Sequence, residues 1–119
     1  MGYELRVVRE SPLAFAELAR AIAPAGFELR GSDEIAAAHG GGRHVVAHWR
    51  GQLVGEPGSD WHLAQLLRLS AVLGARLVGE DGEVYAVRDG VVEVLTGGSA
   101  VEIGKFEEII DAGPSAWSP

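Results

Sequence analysis

The stretch from residue 75 to residue 96, ARLVGEDGEVYAVRDGVVEVLT, constrains the fold more than any other part of the chain. It contains three short runs in which apolar and polar residues alternate, separated by Asp81-Gly82 and Asp89-Gly90. Asp-Gly between such runs is the strongest short-range signal for a β-hairpin, because both residues tolerate the positive φ angles of a type I′ turn. The sequence therefore predicts a C-terminal antiparallel meander over residues 76–96.

The N-terminal segment predicts a strand followed by a helix. YELRVVRE (3–10) has the alternation of a strand with one buried face. Ser11 and Pro12 then suit the N-cap and the first helical position, and the apolar spacing that follows is helical. We therefore expect the first main helix over residues 12–23, ended by Pro24.

The second main helix is predicted over residues 60–74. Ser59 or Asp60 can serve as its N-cap, and the leucine-rich segment that follows is apolar over most of a helical surface. Such a helix should be largely buried, with Gln65 and Arg68 marking its solvent side.

The remaining segments give shorter elements. Residues 26–30 favour a strand, residues 32–39 (SDEIAAAH) a short capped helix, and residues 43–55 a hairpin that turns at RGQ. VEIGKFEEIIDA (101–112) is read as a strand and then a short helix, and about residues 112–119 as a flexible tail.

These elements predict a single α+β domain over residues 1–119, with an antiparallel sheet packed against two main helices. A chain of 119 residues can bury one core without cross-links, and it contains no cysteine. No apolar run approaches the roughly 18 residues of a membrane span, and the N-terminus lacks a signal-type hydrophobic segment. We therefore expect a cytoplasmic protein that does not contact a membrane.

The charge is unevenly placed along the sequence. The net charge is −7, and residues 79–119 carry nine acidic side chains against Arg88 and Lys105. Such a field repels nucleic acid and attracts a basic partner. Among the function classes, nucleic-acid binding fits this charge distribution least.

No motif for catalysis, a metal or a cofactor is found in the sequence. His44 and His48 are four residues apart, but on a strand that spacing separates them by about 13 Å, too far to bind one ion. HGGG (39–42) is similar to a hydrolase oxyanion loop, but no GxSxG serine accompanies it, and phosphate-binding loops are missing. An exposed turn at Glu80, Asp81 and Glu83 cannot raise a carboxyl pKa by burial, as acid catalysis needs. The expectation is a protein that is not an enzyme.

Three segments resemble a group of small bacterial proteins. The resemblance covers GYELRVVRESP (2–12), AHWRGQLV (47–54) and LGARLVGEDGEVY (73–85), the last of which matches an LGA(R/K)xxG(D/E)(D/E)GExY signature. Members are often immunity-like proteins associated with polymorphic toxin systems, and they end soon after the position of Tyr85. This chain instead continues with a further strand and tail. The resemblance implies a non-catalytic module that binds and neutralises a toxin, often a basic one where the toxin acts on nucleic acid.

On that hypothesis the partner-binding residues lie in the acidic C-terminal third, with a tryptophan as anchor. These candidates are Glu80, Asp81, Glu83, Asp89, Glu93, Trp49 and Trp61. Two alternatives stay open. One is a small-molecule-binding or enzymatic domain with a pocket lined by His44, His48 or Trp49, and the other is a self-associating subunit, such as a homodimer, that uses the added C-terminal strand.

Overall fold

The structure, a computed structural model, describes residues 3–114. Its described strands are β1 (Leu5–Val8), β2 (Phe27–Arg30), β3 (Glu34–His39), β4 (Gly42–Trp49), β5 (Leu53–Gly55), β6 (Arg76–Gly79), β7 (Val84–Arg88), β8 (Val91–Thr96) and β9 (Ser99–Lys105). Its helices are α1 (Phe15–Ile22), α2 (Asp60–Val72) and α3 (Phe106–Ala112), and a 3-10 turn at Ala23–Ala25 follows α1.

All nine strands form one antiparallel sheet in the order β2-β3-β4-β5-β1-β6-β7-β8-β9. Most neighbours in this order are joined by short turns, as in a meander. The exception is β1, which comes first in the chain and lies between β5 and β6. The predicted α+β architecture, with a strand-rich antiparallel sheet and two main helices, is confirmed.

Alternation along the strands separates the sheet into two faces. Leu5 and Val7 point to the inner face, which carries the helices, and their cross-strand partners include Leu53 and Leu77. Arg6 points to the opposite, outer face. Each face can therefore be followed from strand to strand through the register.

The hydrophobic core lies on the inner face. Trp61, Leu66 and Leu69 of α2 form one buried cluster with Leu18 and Ile22 of α1 and with inward side chains of the strands. Phe106, Ile109 and Ile110 of α3 pack against the edge of the same cluster. Burial of a single leucine-sized side chain contributes about 1.5–3 kcal/mol, so α2 is the main contributor to this core.

Several sequence predictions about local structure are confirmed. Ser59 caps α2, since its Oγ accepts a hydrogen bond of 3.1 Å from the amide of His62. The hairpin over residues 43–55 turns at RGQ, and the C-terminal segment forms β9 followed by α3. The meander runs further than expected, because β9 adds a fourth strand to it.

The predicted start of the first helix is wrong. Helix α1 begins at Phe15, and its N-cap residue Ala14 is extended and provides no side-chain hydrogen bond. The guanidinium of Arg9 donates hydrogen bonds to the carbonyls of Ser11 (2.9 Å) and Pro12 (3.3 Å), which holds this segment outside the helix.

The helix predicted over residues 32–39 is also wrong, because β3 occupies this segment. Its alanines favour a helix in isolation, but β3 pairs with β2 and β4 on its two sides, and Ile35, Ala36 and Ala37 are fully buried there. Pairing and burial override a local propensity of a few tenths of a kcal/mol per residue.

The solvent side predicted for α2 is wrong as well. Gln65 is buried, and Arg68 is half-buried with its guanidinium 4.4 Å from the ring centroid of Phe27. Arg68 also donates hydrogen bonds to Gln65 Oε1 (3.0 Å) and to the carbonyl of Ala25 (2.7 Å). Both polar residues therefore connect α2 to the body of the domain. Most of the predicted tail, residues 115–119, lies outside the described residues.

Candidate functional site

The turn between β6 and β7 displays the acidic residues that the sequence singles out. The amide of Gly82 donates a hydrogen bond of 3.1 Å to the carbonyl of Gly79, and Gly82 has a φ of 82°. Asp89 is the only described non-glycine residue with positive φ, so the type I′ prediction holds at Asp89-Gly90 and is wrong at Asp81-Gly82. The latter is a longer loop, of the kind that combines a type I turn with a glycine bulge.

Tyr3, which precedes β1, binds this turn. Its phenol donates a hydrogen bond of 2.6 Å to Glu83 Oε2 and accepts one of 3.0 Å from the amide of Asp81. The same oxygen lies 3.3 Å from Oδ2 of Asp81. The start of the chain therefore holds the acidic turn in one conformation.

The Glu83 carboxylate is the centre of this cluster. Besides the bond from Tyr3, it accepts hydrogen bonds from the phenol of Tyr85 (3.2 Å) and from the amide of Asp81 (3.1 Å). The carboxylate lies directly over Gly79, where the Cβ of any other residue would collide with it. Gly79 is thus required by the side chain of Glu83.

These hydrogen bonds shift the titration of three groups. Burial raises the pKa of Glu83, but the donors from Tyr3, Tyr85 and the backbone outweigh it, so the net pKa lies below the ordinary value. The hydrogen bond to Glu83 raises the pKa of Tyr3 to about 12. Burial, together with the charge of Glu83, raises the pKa of Tyr85 to about 12. The carboxylate therefore stays charged and both phenols stay protonated at neutral pH.

Further carboxylates adjoin the turn on the outer face. The amide of Glu4 donates a hydrogen bond of 3.0 Å to Glu80 Oε2. Glu4 lies one residue before Leu5, which pairs with both Gly55 and Gly79, so continuing the register sets Glu4 between Glu56 and Glu80. Three carboxylate residues next to the ends of three adjacent strands are thus brought side by side.

A cavity of about 440 Å³ continues from this row of carboxylates. Its lining includes the acidic residues Glu4, Glu34 and Glu56, the basic residue Arg50, the imidazoles of His48 and His62, and apolar side chains such as Val54. His48 Nε2 lies 3.9 Å from Glu34 Oε2. We use the name acidic end for the carboxylates around the cavity and turn, namely Glu4, Glu34, Glu56, Glu80, Asp81 and Glu83.

The cavity exists because the sheet opens between two strands. In the described chain, β4 and β5 pair only at His48–Val54 and Trp49–Leu53. Beyond those pairs, His62 of α2 reaches the sheet, and its Nε2 lies 2.7 Å from the carbonyl oxygen of Val46. Burial lowers the pKa of His62. A neutral imidazole that donates to this carbonyl accounts for both observations, and its role is to close the gap in the sheet.

The structure brings together three of the predicted acidic residues and separates the other two. Glu80, Asp81 and Glu83 share the turn described above. Asp89 lies at the opposite end of β7, about 17 Å away for a strand of this length. Glu93 is 7% exposed and its carboxylate pairs with Arg88 (3.1 Å), so most of its surface is covered by its own domain.

Neither predicted tryptophan anchor lies beside the acidic turn. Trp49 is half-buried on the inner face, with its ring centroid 6.0 Å from that of Phe15. Trp61 is 2% exposed and belongs to the core, where the rings of His39 and His44 contact it edge-on at 5.8 and 5.4 Å. A partner can reach Trp61 only by opening the core.

The small-molecule pocket predicted around His44, His48 or Trp49 is lined by other residues in the structure. His44 contacts Trp61 on the inner face, and Trp49 also lies there, whereas His48 points to the outer face. His48 is joined instead by His62, Glu4 and Glu34. Simple alternation along β4 would put His44 and His48 on the same face, and the bulge at Val46 shifts the alternation by one residue, so His44 shares the inner face with Trp49 instead.

Comparisons with known proteins give no further assignment. The chain matches no family model, no curated protein sequence and no solved structure. Within residues 3–114, no group of three or more histidine, aspartate or glutamate side chains is arranged to hold a metal ion. No helix in that range has both the length and the apolar character needed to cross a membrane.

Proposed function

We propose that this protein is a non-catalytic binding module for a basic protein, and that the partner docks on the acidic end. In the form suggested by the immunity-like resemblance, the partner is a basic toxin that is neutralised by being covered. The observation that carries the proposal is the fixing of Glu80, Asp81 and Glu83 by Tyr3 and Glu4.

Fixed carboxylates favour binding for an entropic reason. Ordering a long side chain at an interface costs about 0.5–1.5 kcal/mol, and here that ordering is complete before a partner arrives. Glu80 and Asp81 are exposed, whereas Glu83 uses its oxygens within the domain. Glu80 and Asp81 therefore supply direct contacts, and Glu83 positions the turn that carries them.

The cavity beside the turn suits a basic side chain. A lysine or arginine has an aliphatic stem and a charged end, and the cavity offers the apolar wall of Val54 and the carboxylates of Glu4 and Glu34. We expect one such residue of the partner to be the anchor of the complex. Attraction between the opposite charges steers association, so the rate and affinity should both fall as salt is added.

Affinity capture with a charge-neutralised bait tests the proposal. The bait variant is Glu80→Gln/Asp81→Asn, which removes two charges while the side-chain oxygen at position 80 can still accept from the Glu4 amide and the backbone amide at position 81 can still donate to Tyr3. The matched control is Glu107→Gln/Glu108→Gln, which removes two charges from the exposed first turn of α3. We expect the wild type and the control to retain a basic protein. The turn variant should not retain it, and neither should the wild type in about 0.5 M salt.

Reconstitution with the purified partner then gives the affinity. We expect the turn variant to bind about tenfold or more weakly than the control, since two charged contacts of about 0.7 kcal/mol or more each are lost. Equal binding by the two variants, or retention of acidic proteins only, would contradict the proposal.

The cavity also favours a second candidate function, the binding of a small organic cation. The observation behind it is that three carboxylate residues, Glu4, Glu34 and Glu56, line the cavity of about 440 Å³ together with apolar valines, against the single basic residue Arg50. Thermal shift measurements with short aliphatic amines test this candidate. A rise in melting temperature that disappears in Glu34→Gln supports a small-molecule site, whereas no shift together with capture of a basic protein favours the first function.

A further inference from the structure

Strand β9 forms one edge of the sheet, and in the described chain its outer edge is paired with no other strand. It is seven residues long, and the residues from Ser99 to Glu102 are all exposed. An open edge of this length presents a row of backbone donors and acceptors to another strand.

The opposite edge of the sheet is shorter and more highly charged than β9. Strand β2 has only four residues, and the exposed Glu28 and Arg30 place charges along it. Short length and charged side chains are the usual protection of an edge strand. Strand β9 is longer, and its exposed part carries one charged residue, Glu102, beside the uncharged Ser99, Ala100 and Val101, and Val101 is 59% exposed.

Val101 ends a row of apolar side chains on the inner face. The register connects Leu77 to Tyr85, Tyr85 to Val94 and Val94 to Val101 across four strands. Leu77 is fully buried, Tyr85 and Val94 are half-buried, and Val101 is exposed. The row thus leaves the cover of the helices and stops at the edge, where a further apolar residue would continue it.

We infer that β9 pairs antiparallel with β9 of a second copy of this chain, around a two-fold axis at Val101. Ser99–Ile103 of one protomer then pairs with the same segment of its partner, and the sheet becomes continuous through both copies. On the inner face Val101 meets Val101 of the partner subunit. The apolar row of each protomer is thereby joined to that of the other.

Repulsion between like charges favours an axis at Val101 over an axis at the next residue, Glu102. With the axis at Val101, Glu102 lies opposite Ala100 of the partner subunit, and no like charges face each other. With the axis at Glu102, the two Glu102 carboxylates would be direct neighbours, which destabilises a strand pair. The bulge at Ile103 limits the regular part of β9 to the residues before it, which also favours an axis at Val101.

The dimer should be weak and should tighten in salt. One strand pair buries less than the roughly 1,200 Å² of a stable interface, so we expect a dissociation constant of about 10–100 µM. Each copy carries a net charge of −7. Salt screens that repulsion, so dimerisation should strengthen between about 50 and 500 mM NaCl. The salt dependence is opposite to that of the basic partner, so the two proposals fail independently.

Sedimentation equilibrium of the full chain tests the inference, with Val101→Lys as the main variant. The substitution makes each copy less negative, so general repulsion would weaken, but the two introduced ammonium groups would face each other at the axis. We expect at least tenfold weaker dimerisation for Val101→Lys and no such weakening for Val72→Lys, a control at an exposed valine of α2. Circular dichroism checks that both variants are folded.

A second variant should strengthen the dimer. Ala100→Lys would place a lysine opposite Glu102 of the partner subunit, twice per dimer, and we expect at least threefold tighter association. Monomers at about 1 mM wild-type protein in 0.5 M NaCl, or equal association of the wild type and Val101→Lys, would overturn the inference. A dimer that is unaffected by Ala100→Lys would overturn the register.

Discussion

The phenol of Tyr3 donates a hydrogen bond of 2.6 Å to Oε2 of Glu83, a residue 80 positions further along the chain. This bond connects the segment before β1 to the turn between β6 and β7. It explains why an exposed acidic turn has a defined shape, because its central carboxylate is already bound by donors of the same molecule. The neighbouring Glu80 and Asp81 are consequently presented outward.

Phenol titration should report this cluster directly, because Tyr3 and Tyr85 are the two tyrosines of the chain. The pKa of each is raised to about 12, so phenolate absorbance should rise near pH 12 in the native protein and near pH 10 after unfolding. Because the folded state keeps protons that the unfolded state loses, stability should fall as the pH rises from 10 to 12. In Glu83→Gln the native midpoint should move toward 10. A native midpoint near 10 in the wild type would show that the cluster is not formed.

Lowering the pH should also weaken the hydrogen bonds around Glu83. The folded pKa of Glu83 is lowered from its ordinary 4.5, so its contribution to stability is complete above pH 4.5 and is lost as the pH falls through the folded pKa. We expect the wild type to have a higher melting temperature than Glu83→Gln at pH 7. This difference should shrink steadily as the pH falls below 4.5. Thermal melts of both proteins in parallel buffers measure it. A difference that stays constant to pH 3 would contradict the assignment.

Gly79→Ala should disrupt the turn by displacing the Glu83 carboxylate. The added Cβ would occupy the position of that carboxylate, which is held by donors from Tyr3, Asp81 and Tyr85 and cannot move without losing them. We expect a clear drop in melting temperature and a lower pKa of Tyr3 in the variant. Gly58→Ala is the matched control, since a Cβ at Gly58 meets no atom within 4 Å. Similar melting temperatures for the two variants would be incompatible with the geometry described.

Substitutions at Trp61 distinguish a core residue from a partner contact. Trp61→Ala should cost about 3–5 kcal/mol of unfolding free energy, as for other buried aromatic residues. The indole Nε1 has no hydrogen-bond partner among the described residues, so Trp61→Phe removes a buried unpaired donor along with part of the ring. We expect Trp61→Phe to remain within about 2 kcal/mol of wild type by urea denaturation. Unchanged stability in Trp61→Ala would place this residue outside the core.

The sequence predicted those elements whose signals are local. Ser59 caps α2 from three residues away, and the Asp-Gly pairs lie inside the hairpins that they close. It did not predict β3, because an alanine-rich segment favours a helix in isolation, and only pairing with its strand neighbours overrides that preference. The position of β1 between β5 and β6 also could not be predicted, because no residue near Leu5 in the sequence indicates those partner strands.

The candidate site was predicted only in part, for the same reason. The carboxylates of Glu80, Asp81 and Glu83 are adjacent in sequence and were identified. Tyr3, Glu4, Glu34 and His62 were missed, because only the strand order and register bring them to the turn and its cavity. Asp89 and Glu93 were grouped with the turn by their place in the sequence, but the length of β7 separates Asp89 from it, and Glu93 is buried and paired with Arg88.

NMR mapping with a defined probe tests whether the acidic end is the surface that receives a basic partner. Isotope-labelled protein is titrated with a short lysine-rich peptide at low salt, and amide shifts are followed at every residue. We expect the largest changes at Glu4, Glu34 and Glu80–Glu83, and we expect them to be smaller in Glu80→Gln/Asp81→Asn. Changes centred instead on Glu107 and Glu108 of α3, or spread evenly over all acidic residues, would contradict this expectation.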